Sequence, residues 1–155
     1  MGSIWRCYCE TCRFSFHAQL GIGFLFPRVY QETVENMKAG TYDAQGKEFF
    51  EAFPDGAVSC EPIVVRCECC REFRQVPDLT MYVPNDSTAK NDIPYVYPTE
   101  LKERYTEFEK FQHHCPKCGG QTTVVPEFTE RRSSKSIPCP KCGMTIEIKL
   151  LGLWD

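Results

Sequence analysis

Cys115-Pro116-Lys117-Cys118-Gly119 and Cys139-Pro140-Lys141-Cys142-Gly143 are near copies of one another, with twenty residues between them. Two cysteines at this spacing lie on one tight turn, where backbone N–H groups point at the sulfurs and offset thiolate charge. The glycine after each second cysteine supplies positive φ without steric cost, and the proline is compatible with turn geometry. Two such knuckles in sequence predict a four-thiolate zinc site on Cys115, Cys118, Cys139 and Cys142. Thr122 to Val125 follows the first knuckle as a strand. Met144 to Leu150 follows the second, alternating Met144, Ile146, Ile148 and Leu150 with Thr145, Glu147 and Lys149, the period of a half-buried strand. Residues 131–136 are polar and serine-rich, a loop returning between the knuckles. A redox dithiol should instead open a helix, and Gly119-Gly120 before Thr122-Thr123-Val124-Val125 opposes that.

Two further pairs, Cys9/Cys12 and Cys67/Cys70, stand earlier with fifty-four residues between them. Their spacing predicts a second site on Cys9, Cys12, Cys67 and Cys70. Arg13 and Arg71 occupy the glycine positions, and no proline follows Cys9 or Cys67. Cys7 and Cys69 crowd the pairs as rival ligands. Cys60 has no spacing partner and reads as a small buried hydrophobe. His113 and His114 border Cys115, and His17 alternates with apolar neighbours. Four cysteines already suffice, so none of the three is needed as a ligand.

The long interval between Cys12 and Cys67 needs folded structure of its own. Arg13 to Leu20 alternates as a strand. Pro27 then opens a helix over about 28–39, with Tyr30, Val34 and Met37 on one face and Gly40 at its end. Phe49, Phe50 and Phe53 form a shorter stripe that stops at Pro54-Asp55-Gly56. Strands are expected at 62–66 and 73–83, and a polar linker at 85–92. Pro98-Thr99 followed by Leu101, Tyr105 and Phe108 fits a short helix, with the alternative that Phe108 to His114 is the strand entering the third knuckle. Met1-Gly2-Ser3 carries no weight in this reading. The expected fold is a small metal-bound α+β protein: two zinc ribbons of antiparallel β-hairpins, with a helical insertion in the first. Its expected domains are 1–84, a linker 85–112, and 113–155.

Eleven cysteines are an odd number, so complete internal disulfide pairing is excluded. No apolar run approaches a membrane span, and the first residues lack a signal-peptide core. The expected setting is therefore the reducing cytoplasm, where clustered thiols bind metal. Eighteen basic and twenty-one acidic side chains give a net charge of −3, and two four-thiolate zinc sites would take it to about −7. That sign opposes general binding to phosphate backbones. Six bases and four acids lie in 113–155, however, leaving a local basic surface of Arg131, Arg132, Lys135 and Lys141 as an alternative.

The Cys-Pro-Lys-Cys-Gly pairs resemble the zinc-ribbon (rubredoxin-like) superfamily over about 115–143. The longer arrangement of Cys9-x-x-Cys12, helix 28–39 and Cys67-x-x-Cys70 is similar to small bacterial zinc-ribbon proteins of the CpXC type, which bring no activity to carry over. The resulting expectation is a structural protein with two Zn²⁺ per chain, zinc being preferred to iron. It would act as a protein-interaction module, because closed four-thiolate sites leave no position for substrate. No catalytic constellation is present in the sequence. The alternatives are a ribosome- or nucleic-acid-associated ribbon, and a rubredoxin-like iron or thiol redox protein using Cys7, Cys60 and Cys69. The aromatic residues Phe24, Phe26, Phe49, Phe50 and Phe53 either pack on their own domain or leave an apolar patch for a partner.

Overall fold

The computed structural model describes residues 1–86, 93–128 and 135–155. It divides into two compact units, each assembled from separated stretches of chain. The first comprises Met1–Gly23, Pro62–Val76 and Gln112–Asp155; the second comprises Phe24–Glu61 and Pro77–Phe111. The expected division at 1–84, 85–112 and 113–155 does not describe these units. The two ends of the chain belong together.

In the first unit, β1 (Gly2–Tyr8), β2 (Ser15–Gly21), β9 (Lys135–Pro138) and β10 (Thr145–Trp154) form a sheet in the order β2-β1-β10-β9. Every described pairing in it is antiparallel. A smaller sheet has the order β5-β4-β8, from β4 (Pro62–Cys67), β5 (Phe73–Pro77) and β8 (Thr122–Val124). β1 goes unrecognised in the sequence because its apolar residues do not alternate over a long enough run. Its register with β10 nevertheless runs from Gly2 opposite Trp154 to Cys7 opposite Ile148. Gly2 and Gly23 allow the Trp154 ring to lie against the backbone, since a Cβ at either would come within 2.4 Å of it. The core holds Trp5, Leu20, Val64, Phe73, Phe128 and Ile148, all nearly buried. Of the alternating apolar residues from 144 to 150, Ile146 and Ile148 face this core, whereas Met144 and Leu150 are exposed.

The second unit carries the helical insertion. Helix α1 (Phe26–Lys38) begins with proline in its first turn and buries Phe26, Tyr30, Thr33 and Met37, close to the expected span. Helix α2 (Ala44–Ala52) is capped by Asp43, whose carboxylate accepts from the Ala44 N–H at 2.6 Å. Gly46 of α2 lies against Met37, where a Cβ would approach the methionine Cε to 2.8 Å. The remaining elements are β3 (Ala57–Val58), β6 (Met81–Pro84), α3 (Pro98–Arg104) and β7 (Tyr105–Glu109), with the sheet order β3-β6-β7. The expected strand over 73–83 is thus two strands, broken where Leu79 adopts φ 60°. Phe26, Phe49 and Phe50 are buried within this unit and Phe53 is half-buried, so a contiguous phenylalanine patch does not form. Of the five, only Phe24 is exposed, at 87%.

Most of the expected 85–92 linker and of the 131–136 loop lies outside the described residues, as do Arg131 and Arg132. Among the described residues, no helix is long and apolar enough to cross a membrane.

Candidate metal centres

Each Cys-x-x-Cys pair is the tip of a hairpin with the same local backbone. The N–H of the first cysteine donates to the carbonyl five residues on: Cys9 to Phe14, Cys67 to Glu72, Cys115 to Gly120 and Cys139 to Met144, at 2.7–3.0 Å. The residue after the second cysteine is left-handed in all four, with φ of 60° at Arg13, 62° at Arg71, 72° at Gly119 and 78° at Gly143. The two arginines therefore adopt the glycine conformation, at a cost of about 1 kcal/mol each. The knuckle is set by hydrogen bonding within the turn, and glycine eases it without being required.

The hairpins pair in a way the sequence did not suggest. Cys9 and Cys12 meet Cys139 and Cys142; Cys67 and Cys70 meet Cys115 and Cys118. The expected couples, first with second and third with fourth, are both replaced. The first and fourth knuckles form an outer centre, and the second and third form an inner centre nested within it in the chain. In each group the four sulfurs lie within 4.8 Å of one another. Between facing knuckles the sulfurs lie 3.5 Å apart for Cys9–Cys142 and for Cys12–Cys139, 3.4 Å for Cys67–Cys118 and 3.6 Å for Cys70–Cys115. An ion bound tetrahedrally at about 2.3 Å requires sulfurs about 3.8 Å apart. The donor set and its spacing fit such an ion at both places.

Strand register explains the pairing. The residue two before the first cysteine of one knuckle lies opposite the residue six after the second cysteine of its partner. In the outer centre this is Cys7 opposite Ile148; in the inner centre it is Val65 opposite Val124. The hairpins themselves repeat as well: Tyr8 faces Ser15, Pro138 faces Thr145 and His114 faces Gln121, each one residue before and three after its knuckle. The two centres are thus built on one plan, and their ligands follow the same order of burial, the last cysteine of each being exposed.

Electrostatics divide the thiols of each centre. The N–H of Cys12, with the Cys142 thiol and the Thr11 N–H, draws the Cys9 pKa down to about 6 against its burial. The N–H groups of Cys118 and Lys117 do the same for Cys115, also to about 6. At Cys142 the Met144 N–H lowers the pKa, but burial and the neighbouring thiols override it and push it up to about 12. At Cys70 the Glu72 N–H is overridden in the same way, again to about 12. One member of each group is thus ready as a thiolate, while another keeps its proton until a cation offsets the charge. Lys117 reaches across the inner centre to Glu72 at 2.6 Å, joining the second knuckle to the third.

The three remaining cysteines stand outside both groups. Cys7 points from β1 into the core, where burial pushes its pKa up to about 11. Cys60 is buried in the second unit and lies at about 12 for the same reason. Cys69 is exposed on the turn between Cys67 and Cys70. Neither Cys7 nor Cys69 displaces its neighbour, because i and i+3 point inward together across the turn. With metal bound, maleimide at pH 8 should modify one thiol quickly, Cys69, and peptide mapping will identify it. Rapid labelling of Cys7 or Cys60 would contradict their burial. His17 lies on the exposed side of β2, and neither His113 nor His114 joins a cysteine group.

Gly120 is the residue that sequence reasoning passed over. A Cβ there would lie 2.8 Å from the Cys69 Cβ, 3.0 Å from the Cys67 sulfur and 3.3 Å from the Cys118 sulfur. The doubled glycine after Cys118 was the available signal, one residue for the φ and the next for the space. Gly119→Ala meets nothing within 4 Å and should cost only its backbone strain, about 1 kcal/mol. Gly120→Ala must displace sulfurs, and chelator competition should show metal affinity of the inner centre falling by about tenfold or more, roughly 1.4 kcal/mol.

No family model, curated protein or solved structure matches this chain. The resemblance to zinc-ribbon proteins accordingly rests on the knuckle motifs alone.

Proposed function

We propose that this is a structural zinc protein whose two ribbons hold the chain in shape, and that it acts through the surface so held, as a protein-interaction module. The observation that carries the reading is the convergence of eight cysteines from four separate hairpins into two tetrads of metal-binding dimensions. Four thiolates close a zinc coordination sphere and leave no site for substrate, which favours a structural ion over a catalytic one. Zinc in such sites contributes about 10–16 kcal/mol in small peptides, comparable to the stability of a whole domain.

Elemental analysis of freshly purified, reduced protein should give two zinc ions per chain. Strong visible absorption from thiolate-to-iron charge transfer, with iron in place of zinc, would replace this reading by the electron-transfer one. Zero or one metal per chain would overturn the two-centre assignment. For the interaction role, a pull-down with zinc-loaded protein should recover a protein partner that is lost on chelation.

A further inference from the structure

We infer that the two centres load metal cooperatively, the inner before the outer; this rests on the metal-binding reading above and specifies how those sites behave. The first ground is the nesting. The facing cysteines of the inner centre are 45 and 51 residues apart in the chain, and those of the outer centre 127 and 133. Loop-closure probability falls as about the three-halves power of length, which favours closing the inner centre by about fivefold. Closing it also brings residues 67 and 118 together, so the loop that the outer centre must then close is shorter.

The second ground is a core that both centres share. Phe73, on the inner hairpin, meets Phe14 and Phe16 of the outer hairpin edge-on at 5.8 and 5.7 Å. Phe128, after β8, contacts Phe16 at 5.9 Å and Phe73 at 6.2 Å. Val64 and Val125 belong to the same buried cluster as Trp5, Cys7 and Ile148. Among the described residues, the apolar face of the outer sheet is therefore covered by the inner hairpins and Phe128. Forming one centre organises the surface on which the other is built. Coupling between sites is typically about 5- to 150-fold, and by linkage each ion strengthens the other by the same factor. We expect about tenfold or more here.

The test is native mass spectrometry of the reduced, metal-free 155-residue chain given one equivalent of Zn²⁺. Cooperative loading leaves the singly loaded form at about a third of the population or less, whereas independent sites give about half or more. Chelator competition should show Cys12→Ser, which retains the inner centre, binding about fivefold more tightly than Cys70→Ser, which retains the outer one. Phe73→Leu, which removes no ligand, should still take up two ions at saturation while the singly loaded fraction rises toward half. A wild-type chain that binds two ions with half or more singly loaded at one equivalent overturns the inference and leaves the metal reading intact. Equal affinity of the two serine variants, or an unchanged distribution in Phe73→Leu, also counts against it. A chain that takes up no zinc overturns both.

Discussion

Replacing Cys9 and Cys139 together by serine should leave one metal ion per chain, whereas replacing Cys9 and Cys67 together should leave none that survives mild chelation. In the first variant both lost ligands belong to the outer centre, and the inner four are untouched. In the second, each centre loses one of its four thiolates. The pairing suggested by sequence order requires the opposite outcome, because it places Cys9 and Cys67 in one site and Cys139 in another. The difference is one whole ion, set against a binding free energy of about 10–16 kcal/mol per structural zinc. Even if the remaining centre is weakened tenfold by loss of its partner, about 1.4 kcal/mol, it stays loaded. Metal content by mass spectrometry decides between the two pairings, and Cys67→Ser/Cys118→Ser should behave like Cys9→Ser/Cys139→Ser.

Ending the chain after Gly143 should unfold the first unit even though all eight ligands remain. The lost residues include all of β10, which lies between β1 and β9 and, among the described residues, joins them into one sheet. Ile146 and Ile148 are buried at 4% and 0% exposure, and each contributes about 1.5–3 kcal/mol. The strand hydrogen bonds to β1 and β9 go with them. That total rivals the net stability of a small domain. The truncated chain retains Trp5 as its one tryptophan, now without the strand that covers it. Its fluorescence should shift to the red, and the outer centre should lose its ion. A truncated chain with two bound ions and a buried Trp5 would mean that the cysteines alone organise the sheet.

What could be read from the sequence was whatever is decided within a few residues. Each knuckle is closed by hydrogen bonds spanning five residues or fewer, so Cys-x-x-Cys announces it wherever it stands, and Arg13 and Arg71 show that even the glycine is dispensable. Helix α1 was legible for the same reason: Pro27 at its start, the spacing of Tyr30 and Met37, and Gly40 beyond its end are local signals. The partners of the knuckles are not a local property. The four turns are so alike that nothing within them distinguishes one mate from another, and proximity in the chain pointed to the wrong ones. Tertiary structure made that choice through strand register. Setting Cys7 against Ile148 and Val65 against Val124 carries the first knuckle to the fourth and the second to the third, and it leaves Val64 and Val125 in one buried cluster with Trp5, Cys7 and Ile148. The same register turned Cys7 into the core, left Cys69 outside, and required bare backbone at Gly120, because the partner hairpin brings the Cys67 sulfur and the Cys69 Cβ to that space.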